Sequence, residues 1–343
     1  MSLRICEMQR DDSREETVIP TSGGVMMRST VAALFAACAA ALGCSNPRDL
    51  SRELKPGTGF VQVPGGRVWY NVVGTGHRTP LLVLHGGPGA SSYYLKPLGA
   101  LGDDRPVIFY DQLGGGHSDR PMDSTLWTMD RFVREVTAVR EALGLERVHI
   151  LGHSFGTLIL ADYMKTKPKG VRSVVFASPV LDVPGYMQDV AGLLKQFPDS
   201  IQRTITDAEK NGTTNSAAYQ SAIMAFYHEH IARKQPWSPD IDSTMSQLNP
   251  GPYIYMQGPS EFTITGTLKS YNQTGVLKDI GVPTLFLSGE YDEVVPSRVE
   301  SFQKMTPDSK VEIVPNAAHF SMQDQPDVVV KILRDWFRKV EGT

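Results

Sequence analysis

Gly152-His153-Ser154-Phe155-Gly156 lies between the apolar run Val148-His149-Ile150-Leu151 and the helix-like segment Thr157-Leu158-Ile159-Leu160-Ala161-Asp162-Tyr163. A serine is thereby set on a sharp turn from a buried strand into a helix. Such a nucleophile elbow strains the serine backbone, and side chains in place of the flanking glycines would collide with the strand and helix that the turn joins. The pentapeptide by itself is a weak pattern. A strand before it, a helix after it and two further motifs in the matching chain order make Ser154 the candidate nucleophile of a serine hydrolase.

Working outward, Phe60-Val61-Gln62-Val63 and Arg67 to Val73 flank Pro64-Gly65-Gly66, which predicts an antiparallel hairpin. Short continuous apolar runs then recur at 81–84, 106–110, 148–151, 174–177, 284–287 and 311–314, as expected of strands buried on both faces. Helical periodicity lies between them, clearest over 130–143 and 327–340. The alternation predicts an α/β fold with a doubly wound, mostly parallel sheet. It breaks off over 183–281, where helix-like stretches (201–210 and 216–231) and aromatic residues occur without a buried-strand run. That stretch reads as an inserted helical lid over the strand ends, where open sheets of this kind bind ligands. The core is then 58–182 with 282–343.

The first 57 residues differ in character. Met26-Met27-Arg28-Ser29-Thr30 followed by the apolar stretch 31–42 has the form of an export signal, and is shorter than the ~20 residues a spanning helix needs. Small residues before Cys44 resemble a lipobox, although Ala41 stands where leucine is usual. The expectation is an exported protein, lipidated at Cys44 and anchored to a membrane, or simply cleaved and released. Residues 1–25 are polar and patternless, consistent with a true start at Met26 or Met27, and 45–57 reads as a linker. Cys6, Cys38 and Cys44 are the only cysteines, so the folded part has neither a disulfide nor a cysteine nucleophile. With a net charge of -3 and scattered Lys and Arg, the chain has no concentrated basic surface for nucleic acid.

A serine hydroxyl needs a base, and the base needs a group to fix its tautomer. Asp292 follows the fifth run, and His319 lies in the loop between the sixth run and the last helix; Ser, acid, His is the chain order this architecture uses. An ordinary histidine base would make the rate fall as pH drops through about 6 to 7. His85-Gly86-Gly87-Pro88-Gly89 follows the first buried run, where one oxyanion-hole amide is expected from Gly87 and the second from Phe155. His153 flanks the nucleophile, and His228-Glu229-His230 lacks the i, i+4 spacing of a helical zinc pair, so neither a metal nor a cofactor is expected.

Together with Asp111-Gln112-Leu113-Gly114-Gly115-Gly116-His117-Ser118 and Gly258-Pro259-Ser260-Glu261-Phe262-Thr263-Ile264-Thr265-Gly266-Thr267, these motifs resemble the proline iminopeptidase family of α/β-hydrolases over about 59–340. The last motif is similar to the branch of tricorn-interacting aminopeptidases and amino-acid amidases. The resemblance implies that Glu261 and Glu293 bind the free α-amino group of a small peptide or amino-acid amide. Carboxylates suit that task, because an ammonium entering a desolvated pocket must recover its lost hydration. Two departures bear on the proline pocket: members commonly have cysteine at the position of Gly115 and often an aromatic at that of Gln257. Tyr253, Tyr255, Phe226, Tyr227 and Trp237 are candidates for an apolar pocket or for core packing. The expected activity is removal of an N-terminal proline or small apolar residue through an acyl-enzyme. The rival is an esterase, lactonase or arylamidase with the same triad and no need for a free amine.

Overall fold

The central strands form where the apolar runs leave no polar face to expose. The two hairpin strands and the last strand lie toward the sheet edges and keep partly exposed positions, so the run 311–314 is not buried on both faces as expected. In the computed structural model, which describes residues 54–343, the strands are β1 (Gly57–Val63), β2 (Gly66–Val73), β3 (Leu81–Leu84), β4 (Val107–Tyr110), β5 (Val148–His153), β6 (Val171–Ala177), β7 (Thr284–Gly289) and β8 (Ser309–Val314). They make one sheet of order β1-β2-β4-β3-β5-β6-β7-β8. The β1–β2 hairpin pairs antiparallel, β2 also meets β4 antiparallel, and every pairing from β4 to β8 is parallel.

The helices are α1 (Met129–Ala142), α2 (Phe155–Lys165), α3 (Val183–Leu194), α4 (Asp199–Asn211), α5 (Ala217–His230), α6 (Pro239–Ser246), α7 (Pro250–Met256), α8 (Pro296–Met305), α9 (Ser321–Asp324) and α10 (Pro326–Glu341). Alternate strand residues serve opposite faces. Leu82, Leu84, Ile108, Ile150 and Phe286 pack with α1, α2 and α8, whereas Leu81, Val83, Phe109, Leu151 and Leu285 pack with α10 and the 3-10 segment Tyr93–Asp103. The apolar stripe of α10 is Val329, Leu333, Trp336 and Phe337, a helical spacing that points one face inward. Truncating Phe337, which is fully buried, to alanine would cost about 3–5 kcal/mol. No helix among the described residues is long and apolar enough to cross a membrane.

Helices α3 to α7 fall between β6 and β7. The neck of this insertion is stitched to itself: Asp182 bridges Asn272, Val183 N–H donates to Tyr271 C=O at 3.0 Å, and Gln273 N–H donates to Leu181 C=O at 2.8 Å. Arg298 of α8 ties it to the core through Asp182, Asp189 and the Gly185 carbonyl.

At the amino-terminal ends of β3 to β5 a second set of buried charges closes the core. The Arg105 guanidinium, wholly buried, donates to Thr79 C=O at 2.9 Å and to Glu341 at 2.8 and 3.2 Å. Arg78 and His149 reach the same carboxylate at 3.3 Å each. Beside them lies a cavity of ≈ 590 Å³ lined by Leu54, Thr79, Pro106 and Arg147, remote from Ser154.

Candidate active site

Ser154 begins at backbone level. Its φ of 52° lies in the left-handed region that a side chain resists, and it immediately precedes α2. The turn is held because β5 and α2 approach too closely for any other sequence. A Cβ on Gly156 would lie 2.2 Å from Leu84 C=O, and one on Gly152 would lie 2.4 Å from Gly156 C=O. The two flanking glycines are therefore steric requirements of the elbow.

The loop after β7 carries Asp292 and the loop after β8 carries His319, both buried at the same end of the sheet as Ser154. His319 Nδ1 lies 2.8 Å from Asp292 Oδ1, so Nδ1 is the donor and Nε2 is left for chemistry. Asp292 also accepts from Val294 N–H at 2.9 Å and the Ser288 hydroxyl at 3.0 Å. Burial disfavours its charge, but His319, with help from the Ser178 hydroxyl and Val294 N–H, outweighs that and holds its pKa below the usual value. Ser154 and His319 line one cavity of ≈ 90 Å³, without a direct hydrogen bond between them among the described residues.

The expected oxyanion amides, Gly87 and Phe155, flank Ser154 in the adjoining pocket. Neither donates to another protein group among the described residues, which leaves both N–H groups available to a substrate oxygen. The glycine loop is braced by Tyr94, whose hydroxyl accepts from Gly86 N–H at 2.7 Å and lies 2.8 Å from His153 Nδ1. His153 Nε2 lies 2.9 Å from His319 C=O, which can only accept, so His153 carries its proton on Nε2 and Tyr94 donates to Nδ1. Burial drives the pKa of His153 down to about 3, so it stays neutral and acts as a strut between the oxyanion loop and the base loop. Nothing local in the sequence marks Tyr94 for this part.

The lid brings the third group of residues. Glu261 accepts from Tyr253 OH at 2.6 Å, Gln257 Nε2 at 2.7 Å and Tyr186 OH at 3.1 Å. Glu293 lies opposite, with Oε1 3.7 Å from His319 Nε2 and a buried Oε2 that has no hydrogen-bond partner. Burial pushes the Glu293 carboxyl up to about 8, His319 opposing and the charges of Glu261 and Asp292 adding to the rise. On His319 burial acts downward, but the three carboxylates Asp292, Glu293 and Glu261 win and raise it to about 9. The acid limb expected from an ordinary histidine at about pH 6 to 7 is thus displaced upward in the unliganded enzyme.

The lid also holds the base. His230 C=O at the end of α5 accepts from His319 N–H at 3.1 Å, and Ile231 C=O accepts from Phe320 N–H at 2.7 Å. Asp324 joins the two sides, accepting from Ala318 N–H, Arg233 N–H and Lys234 N–H at 2.8 to 2.9 Å.

Of the aromatic candidates, Tyr227 and Tyr253 line the cavity. Phe226 is buried in the core, Tyr255 is exposed, and Trp237 donates its indole N–H to Ala232 C=O. Gln257 and Tyr186 line the adjoining pocket with Leu158, Val180 and Leu268. At the departure from the cysteine-bearing pattern, a Cβ on Gly115 would fall 2.0 Å from Ala90 C=O, and Ala90 itself lines the cavity.

Residues 79–326 match the model of the α/β hydrolase fold family. The proline iminopeptidase of Heyndrickxia coagulans is 45% identical over 286 residues, covering 82% of this chain and 99% of that protein. The chain belongs to the proline iminopeptidase family of α/β-hydrolases. Among solved structures, the proline iminopeptidase of Mycobacterium smegmatis superposes with a TM-score of 0.78 at 29% identity, covering 83% of this chain and 99% of that one. VinJ superposes with a TM-score of 0.81 at 31% identity, covering 83% and 100%. Family membership and the mostly parallel sheet agree with the expectation drawn from the elbow and its flanking motifs.

Proposed function

We propose that this proline iminopeptidase family member is a serine aminopeptidase that removes an N-terminal proline or small apolar residue from short peptides and amino-acid amides. The observation that carries the reading is the unpartnered, buried Oε2 of Glu293, which lines the nucleophile's cavity together with Glu261. Three carboxylates, Asp292, Glu293 and Glu261, share the single cation that His319 can supply, and a substrate ammonium supplies the missing charge. A pyrrolidinium offers two N–H donors, one for each glutamate. Leu158, Val180 and Leu268 offer its ring an apolar wall.

With the amine so held, Ser154 Oγ attacks the carbonyl carbon while His319 Nε2 takes its proton. The Gly87 and Phe155 amides receive the developing oxyanion, where one donor is worth ~3 kcal/mol of barrier. Imidazolium then protonates the leaving amine. A water, deprotonated by the same nitrogen, attacks the acyl-enzyme, and the released proton returns to Ser154. Asp292 keeps Nδ1 protonated throughout.

Comparing an amino-acid arylamide with its N-acetylated form tests this reading. The free amine should be cleaved and the acetylated compound spared; equal rates would favour the esterase alternative. We further infer export, with lipid on Cys44 as the anchor. Support comes from the apolar stretch and the small residues before Cys44, which lie outside the described residues. Replacing Cys44 with Ser should shift the protein out of the membrane fraction, and unchanged fractionation would remove the anchor.

A further inference from the structure

The amine-binding pair does more than hold substrate, because Glu293 touches the base itself. Its Oε1 stands 3.7 Å from His319 Nε2, the nitrogen that must accept the Ser154 proton, while Nδ1 is occupied by Asp292 at 2.8 Å. An imidazole flanked on both nitrogens by buried carboxylates is held as the cation, and a protonated Nε2 cannot accept the Ser154 proton.

We propose that Glu293 is a gate on the base: without a substrate ammonium its nearby carboxylate holds a proton on His319 Nε2, and ammonium binding expels that proton and frees the nitrogen for Ser154. The proposal rests on the amine-binding reading above and assigns Glu293 a second role within it. The protonation balance is simple. One proton leaves Nε2 for solvent; the ammonium keeps its own protons; no covalent bond between heavy atoms changes.

The surroundings leave the pair little other relief. Facing it are Asp292 from its own loop, Glu261 from the lid, the hydroxyls of Tyr186, Tyr227 and Tyr253 from α3, α5 and α7, and neutral His153 from β5. His230 also borders the base loop, its ring turned to Tyr291 C=O at 2.8 Å. Among the described residues no lysine or arginine forms an ion pair with Glu293 or Glu261. Burial raises the Glu293 carboxyl, and the carboxylates of Asp292, Glu293 and Glu261 hold His319 protonated above its ordinary range. Adding an external cation lowers the charge that holds this proton, so the base becomes competent when the cleavable substrate arrives.

Calorimetry reads this directly. Binding of L-prolinamide to the Ser154→Ala enzyme, measured near pH 7.5 in buffers of different ionisation enthalpy, should release about one proton per amine bound. N-acetyl-L-prolinamide should release none, and Ser154→Ala/Glu293→Gln should lose the release. Amine-dependent binding without proton release overturns the gate and leaves the proposed function standing. Failure of prolinamide to bind in preference to its acetylated form overturns both.

Kinetics of the unsubstituted enzyme provide a second readout that no folding defect can obscure. For an amine substrate the acid limb of kcat should lie about one pH unit or more below that of kcat/KM, because the first reports the complex and the second the free enzyme. For an ester without an amine the two limbs should coincide. Coincident limbs for the amine substrate would also overturn the gate.

Discussion

Two glutamates at opposite ends of one sheet, Glu293 buried and Glu341 partly so, make an instructive pair. Glu341, at the amino-terminal strand ends, is ringed by Arg105, Arg78 and His149. Burial works against its charge, yet the hydrogen bonds from His149 and Arg105 and the charge of Arg105 overcome it and hold the carboxyl far below its ordinary range. Glu293, at the carboxyl-terminal ends, faces His319 and two other carboxylates, and its carboxyl is pushed up to about 8. The same residue type is thus locked as an anion by internal cations in one place and left short of a cation in the other. The completed cluster is fit for holding a fold together. The incomplete one is fit for a ligand.

Substitutions should separate the two ends, the largest effect falling on catalysis. Ser154→Ala, His319→Ala or Asp292→Asn should each lower kcat by a factor on the order of 10^4 or more while leaving the urea midpoint near that of the parent. Near-normal turnover in Ser154→Ala would remove the nucleophile assignment. At the other end Glu341→Gln strands the buried Arg105 charge and should cost about 3–5 kcal/mol of unfolding free energy with kcat little changed. A change below ~1 kcal/mol would mean that solvent already screens this cluster.

Smaller, and more selective, is the loss expected at the amine pair. Glu261→Gln or Glu293→Gln should reduce kcat/KM for free-amine substrates by about 2–4 kcal/mol and spare esters that lack an amine. Equal losses on both substrate types would make the pair structural.

The smallest effect is a pH dependence of opposite sign at the two ends. Glu341 has a depressed pKa, so its contribution is present above the unfolded value of about 4.3 and disappears as pH falls. Glu293 and His319 have raised pKa values, so their contribution is present at low pH and is lost as pH rises through about 8 to 9. Stability should therefore decline as pH rises from near the unfolded glutamate value of about 4.3 toward about 9 at this end of the sheet, and Glu293→Gln should flatten that decline in a series of thermal melts.

The sheet was legible because strands buried on both faces have no choice of residue: every continuous apolar run became a strand within a few positions. The elbow was legible because its glycines answer a local steric demand. Helices α6 and α7 were overlooked although Ser238 and Asn249 cap them with Pro239 and Pro250 following, since eight and seven residues are too few to show periodicity. The 3-10 segment Tyr93–Asp103 contains Pro97 and two glycines, and was hidden for a similar reason. Glu261 and Glu293 came from resemblance alone, and the roles of Tyr94 and Tyr186 had no signal. The same holds for the basicity of His319, because three carboxylates from separate segments converge on it only in the folded chain.

The contact at Gly115 constrains the substitutions open to this chain. With Ala90 C=O occupying the space that a Cβ at 115 would need, any side chain there is closed out until the 89–90 turn first withdraws. That turn forms part of the cavity wall. The two positions therefore act as one unit: a side chain at 115 should be accommodated only with a compensating shift at 89–90, and that shift should reshape the cavity.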